Sequence, residues 1–194
     1  MAQSGGVIEH PVTGEKFVFR KTARDTGGEA FEVDFYGQPG AFAAAQHIHP
    51  LQEERFEIVS GTVCVRVAGK ETLKGAGEEV VIPAGTPHVW WNAGDDELRM
   101  RVAFHPALRS ESFFETFFGL AQDGKVSRKT GLPNLLQTVV TLRAYRNEII
   151  LARPSRLAQI VLFGPLAALG RLLGYRADYP YPYAKQAHAQ PQTL

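Results

Sequence analysis

The stretch His47-Ile48-His49-Pro50-Leu51-Gln52-Glu53-Glu54-Arg55-Phe56-Glu57-Ile58-Val59-Ser60-Gly61 decides how this chain of 194 residues is read. Side chains alternate along a strand with period two, so two histidines at i and i+2 point to one face, with Cβ atoms roughly 7 Å apart. That is close enough for both imidazoles to converge on one ion. Further along, Arg55 and Glu57 share one face while Glu54, Phe56 and Ile58 share the other, so Glu54 points inward with the apolar side chains. Glu53 has the opposite parity and is expected to face water. A second stretch runs from Gly77 through Pro83-Ala84-Gly85-Thr86-Pro87-His88 to Val89-Trp90-Trp91-Asn92 and offers a third imidazole, His88. A lone histidine on an apolar strand is more often a hydrogen-bonded core residue than a ligand. Three imidazoles and one carboxylate within two glycine-punctuated stretches reverse that weighting and make an N3O donor set suited to zinc or a redox-active transition metal.

On these residues the chain resembles the cupin superfamily, whose two motifs read G-x5-H-x-H-x3,4-E-x6-G and G-x5-P-x-G-x2-H-x3-N. From His47 to Gly61 and from Gly77 to Asn92 every motif position is filled. The departure is the leading glycine, whose place holds Ala41 with Gly40 one residue earlier. The resemblance spans roughly residues 28–106. It implies a mainly β fold, a double-stranded β-helix or jelly-roll barrel, with His47, His49, Glu54 and His88 as ligands of one divalent transition metal: iron, manganese, nickel, copper or zinc. It also implies a homodimer.

The flanking sequence agrees with a barrel. Lys16-Phe17-Val18-Phe19-Arg20 and Ala30-Phe31-Glu32-Val33-Asp34-Phe35 alternate, and Gly27-Gly28 and Gly37-Gln38-Pro39-Gly40 punctuate them. In Arg99-Met100-Arg101-Val102-Ala103-Phe104 the arginines are expected to face out and Met100, Val102 and Phe104 in, which puts His105 outside. Cys64 alternates with Val63, Val65 and Val67 and is placed on the outer sheet face. Many short strands with regular turns fit a jelly roll better than any helical fold.

Beyond Pro106 the pattern changes. Ser110–Leu120, Leu132–Leu151 and Arg156–Leu173 show helical spacing, with Pro133 suited to a first turn and Gly174 to a C-cap. No separate core is evident there, so the helices are expected to pack on the barrel or on a dimer partner. The organisation expected is an amino-terminal arm over residues 1–27, a barrel over 28–106, a helical extension over 107–176 and an extended tail over 177–194. The net charge of +1 hides an asymmetry: residues 1–124 carry 11 Lys+Arg against 18 Asp+Glu, and residues 125–194 carry 10 against 2. Leu157–Gly170 is apolar apart from Gln159. Its 14 residues reach only about 21 Å as a helix, short of a roughly 30 Å hydrocarbon core, so packing against protein is the leading expectation, with peripheral membrane contact next and spanning last.

One cysteine rules out an internal disulfide framework, and the amino terminus lacks both a basic start and an apolar run, so a reducing, cytoplasmic setting is expected. Nucleic acid is not an expected partner, because the basic residues are dispersed and no recognition module accompanies them. No glycine-rich cofactor loop supports hydride or phosphate chemistry. The resemblance implies metal-dependent chemistry on a small-molecule substrate, of dioxygenase type, with Glu54 also able to detach and act as a general base, as similar barrels suggest. Phe56, Ile58, Trp90 and Asn92 are the candidate pocket lining, set against plain core packing for the aromatics and a turn-capping role for Asn92. A metal-dependent isomerase or cyclase, or a cupin that binds a small ligand without turnover, are the alternatives.

Overall fold

Period-two alternation becomes two facing antiparallel sheets in the computed structural model, which describes residues 2–43, 45–179 and 181. The strands are β1 (Val7–Glu9), β2 (Lys16–Lys21), β3 (Phe31–Gly37), β4 (His47–Ile48), β5 (Glu53–Ser60), β6 (Thr62–Val67), β7 (Lys70–Gly75), β8 (Glu79–Ile82), β9 (His88–Asn92), β10 (Leu98–His105) and β11 (Ile150–Leu151). The helices are α1 (Ser110–Gln122), α2 (Leu135–Ala144) and α3 (Arg156–Leu172). One sheet runs β1-β2-β3-β10-β5-β8 and the other β11-β4-β9-β6-β7. This is the expected cupin-like β architecture followed by carboxy-terminal helices.

The inward faces follow the sequence parity. Phe31, Val33 and Phe35 of β3, Phe56 and Ile58 of β5, Val63 and Val65 of β6 and Met100, Val102 and Phe104 of β10 are all buried in one core. Each such side chain contributes about 1.5–3 kcal/mol through burial alone. Arg99 and Arg101 lie on the opposite face, where with Arg20 they surround the Asp34 carboxylate at 3.2–3.9 Å. Gly61, at the β5–β6 turn, has a φ of +83°, and a Cβ there would meet Glu97 O and Leu98 Cα at 3.0 Å. Only glycine fits without displacing backbone. Cys64 shares parity with Trp91, outside the barrel, yet it is buried between its cross-strand neighbours Leu73 and Trp91.

The extension packs on the barrel through α1 and differs from expectation in two further respects. Phe114 and Phe118 of α1 pack edge-on and tilted against Phe17 with ring centroids 4.7 and 5.2 Å away, so α1 joins the barrel core. The helices α2 and α3 bury Val139, Val140 and Ala167 between them, a small second core that the sequence reading did not anticipate. Their close approach runs over Gly170, where a Cβ would stand 2.6 Å from Val140 Cγ2. Finally, the helix expected over Leu132–Leu151 is shorter at both ends. Asn134 caps it by accepting from Gln137 N at 3.1 Å, and it stops at Ala144, after which Ile150–Leu151 forms a strand. Ser155 caps α3, and Gly174 follows it with a φ of +90°. Among the described residues no helix is long and apolar enough to cross a membrane. Of the tail expected over 177–194, all but residues 177–179 and 181 lies outside the described residues.

Candidate metal centre

Four of the side chains singled out in the sequence meet at one end of the barrel. His47 begins β4, His88 begins β9, and the two are direct partners across that antiparallel pair. His49 follows β4 with the same parity as His47. Glu54 comes from the facing sheet, on β5, paired with Phe104 and Ile82 on either side. One ligand atom from each of the four lies within 4.8 Å of every other. The cluster therefore ties the two sheets together. Gly85 holds the His88 turn against it by donating its N–H to the His49 carbonyl at 2.9 Å.

The histidine tautomers follow from their partners. Nδ1 of His47 faces Ala45 O at 2.9 Å, Nδ1 of His49 faces Glu148 O at 2.6 Å, and Nδ1 of His88 faces Thr86 O at 2.9 Å. A carbonyl only accepts, so each Nδ1 carries the proton. In a neutral ring that leaves the Nε2 lone pair free to bind a metal, with Nδ1 oriented by an outer partner as in metal-ligating histidines generally.

The donor set fits a cation. His49 Nε2, His88 Nε2 and Glu54 Oε2 are buried polar atoms without a hydrogen-bond partner. His88 Nε2 and Glu54 Oε2 approach to 2.8 Å, and His49 Nε2 lies 3.6 Å from the same oxygen, but neither contact has hydrogen-bond geometry. Ligand atoms about 2.0–2.2 Å from a shared ion stand at roughly such separations from one another. An unpaired buried polar group costs about 1–3 kcal/mol, and one cation would satisfy all of them together.

The electrostatics favour the same occupant. Burial, reinforced by the neighbouring His88 and His49, pushes His47 down to about 3. Burial also lowers His49. Both rings are thus neutral and ligand-ready at pH 7. Burial alone would push the Glu54 carboxyl up, but the surrounding imidazoles, His49 first, hold it below the usual carboxylate range. Burial pulls His88 down, and the adjacent Glu54 carboxylate more than offsets this and raises it. A metal ion bound by these donors would offset the Glu54 charge and would require a neutral His88.

The remaining sequence candidates sort by depth. Phe56 and Ile58 continue inward from Glu54 and are buried in the core. Trp90 packs edge-on against Phe35, with centroids 4.9 Å apart, and against Phe56 at 6.4 Å. Asn92 is not brought to the cluster. It lies four residues beyond His88 on the same strand, roughly 13 Å away. Its amide closes a turn, donating to Gly37 O at 3.2 Å and Asp96 O at 2.8 Å and accepting from Gly94 N at 3.0 Å.

Sequence reasoning missed the contribution of the extension. β11 pairs with β4 in the register Ile150↔Ile48 and Leu151↔His47, and Ala152 N donates to Gln46 O at 2.9 Å. This pairing brings the Glu148 carbonyl to His49. The Glu148 side chain is itself buried, 3.8 Å from Arg109, which stacks on Tyr145. Phe104 completes the surroundings of His49, edge-on at 5.2 Å. The one signal in the sequence was the β-branched pair Ile149-Ile150, at odds with the helix expected there.

Residues 35–104 match the family model described as "Cupin domain". Among solved structures, the chain is similar to KdgF from Halomonas sp. (19% identity, covering 48% of this chain and 79% of that one, TM-score 0.43). It is also similar to an RmlC-like cupin from Shewanella frigidimarina (21% identity, 54% and 86% covered, TM-score 0.46). A third is a predicted oxalate decarboxylase from Thermotoga maritima (17% identity, 55% and 98% covered, TM-score 0.47). No curated protein matches the chain.

Proposed function

We propose, from the premise that residues 35–104 of this chain belong to the cupin superfamily, that it is a small-molecule metalloenzyme of dioxygenase type with a three-histidine, one-carboxylate centre. The observation that carries this reading is the set of buried, unpartnered donor atoms on His49, His88 and Glu54, with His47 beside them. His47, His49, Glu54 and His88 would hold the ion, which if redox-active would supply Lewis acidity and electron exchange with dioxygen and if zinc would supply Lewis acidity alone.

The chain's own residues do the rest. The carbonyls of Ala45, Glu148 and Thr86 fix the three imidazoles in the Nε2-donating tautomer. Glu54 is also the candidate general base, a role in which its carboxylate would detach from the ion to take a proton from an enolic or phenolic substrate. Phe104, Phe56 and Ile58 exclude water behind the donors. Residual exposure of the cluster is largest at His47 and His49, 8% and 7%, against 0% for His88. Substrate therefore approaches from the β4 side.

The test is oxygen uptake by the metal-reconstituted full chain with a panel of enols, phenolics and thiols, beside a His47→Ala/His49→Ala control. The reading expects uptake matched by product and absent in the control. Product without oxygen uptake would assign an isomerase or cyclase instead. Saturable binding without any product would assign a binding module.

A further inference from the structure

We infer that α3 is an interfacial anchor that docks the protein on an anionic lipid surface. Its inner face, Gln159, Ala167 and Gly170, is buried against the rest of the extension. Its outer face is apolar without interruption from Leu157 to Leu169: Leu157 is 71% exposed, Val161 62%, and Ile160, Leu162 and Leu169 are exposed with them. Leu172, 86% exposed, and Leu173 extend the strip. Single exposed apolar residues are normal on a soluble surface, but a continuous helix face of this kind marks an interaction site.

Charge selects the occupant. Exposed arginines stand at both ends of the strip, Arg153 and Arg156 before it and Arg171 and Arg176 after it. None has an ion-pair partner among the described residues. Residues 125–194 contain two carboxylates, Glu148 and Asp178. Glu148 is buried beneath Arg109, and Asp178 accepts from Tyr145 at 2.6 Å. A second copy docked through α3 would set arginine against arginine in either two-fold orientation, and the one exposed carboxylate of this segment, Asp178, already faces Arg109 at 3.7 Å. A bilayer carrying acidic headgroups answers both features, taking the apolar face into the acyl boundary and pairing the arginines with phosphate or carboxylate. The helix does not cross the membrane: its 17 residues reach about 25 Å. The excess of 10 basic over 2 acidic residues lies in the same segment and orients the acidic barrel away from the lipid.

The test is flotation of the full chain with phosphatidylcholine vesicles, with and without about 30% phosphatidylserine, at low and moderate salt. Binding is expected with the acidic vesicles only, weakening as salt rises. Val161→Glu/Leu172→Glu alters two solvent-facing positions and should abolish binding while leaving thermal stability and metal content unchanged. Arg156→Gln/Arg171→Gln should weaken binding roughly five-fold for each arginine removed and flatten the salt dependence. If the glutamate variant proved unstable, the glutamine variant carries the test alone. No flotation with acidic vesicles, or flotation indifferent to both variants, overturns the inference. A concentration-dependent dimer dispersed by Val161→Glu/Leu172→Glu, in protein that ignores vesicles, would assign the face to a second copy.

Discussion

Replacing Ile150 with proline asks whether the helical extension holds the metal centre in shape. Ile150 is the residue opposite Ile48 in the two-residue β11–β4 pairing, and Glu148, whose carbonyl accepts the His49 Nδ1 proton at 2.6 Å, lies two residues earlier. Proline removes an N–H and disfavours the helical backbone for the residue before it, so it dislodges this corner without touching a ligand. The buried His49 hydrogen bond contributes about 1 kcal/mol to stability. Its larger effect is on the metal, because losing the outer partner of a ligating histidine typically costs 10–100-fold in affinity, or about 1.4–2.8 kcal/mol. Competition titration with cobalt(II) measures this directly, and the visible spectrum of the bound ion reports the ligand field independently of stability. The expected result is weaker binding by at least ten-fold, with an altered spectrum, in a protein whose barrel still melts cooperatively. Unchanged affinity and spectrum, with hydrogen exchange showing β11 released from β4, would refute the reasoning.

Three further perturbations probe other parts of the account. Gln52 is fully buried and its two Nε2 hydrogens are shared among Pro106 O, Ala107 O and Ser110 Oγ at 2.8, 3.1 and 2.7 Å, so Gln52→Leu should destabilise by about 1–3 kcal/mol; a shift under about 0.5 kcal/mol in urea denaturation would contradict that. Gly170→Ala drives a methyl to within 2.6 Å of Val140 Cγ2 and should cost about 1–3 kcal/mol, read as a lower Tm, with metal affinity unaffected. Burial lowers His10, whose Nε2 faces Gly131 O and whose Nδ1 accepts from Val12 N and Thr13 N. Below pH 6.5 the unfolded chain therefore binds more protons at this residue than the folded one, and stability falls as pH drops toward the folded value. His47 and His49 act in the same direction and His88 in the opposite one, so the readout is the difference between wild type and His10→Gln. The variant should show the shallower loss between pH 7.5 and 5; identical slopes would remove His10 from the explanation.

What the sequence made legible was whatever depends on local alternation. Glu54 could be separated from Glu53 because period two assigns them to opposite faces of β5, and Glu54 is buried while Glu53 pairs with Arg55 at 2.6 Å. The same parity put Met100, Val102 and Phe104 inside. Parity fixes the face and not the depth, which is why Asn92 shares the orientation of His88 yet closes a turn well away from it. The support of His49 was illegible for a different reason. Its acceptor is a backbone carbonyl 99 residues along the chain, and a carbonyl leaves no signature in side-chain identity. Likewise the run from Leu132 to Leu151 satisfies helical spacing, but pairing with the β4 edge draws Ile150 and Leu151 into a strand. Tertiary pairing there overrode the helical spacing and agreed with the β-branched Ile149-Ile150 pair.

The central claim is that His47, His49, Glu54 and His88 hold one transition-metal ion. Its most direct test is the metal content of the full chain, purified without chelator or affinity-metal leaching, beside a His47→Ala/His49→Ala control. The account predicts about one iron, manganese, nickel, copper or zinc ion per chain in the wild type and none in the control. Equal and negligible metal in both proteins, persisting after reconstitution with each ion, would contradict it.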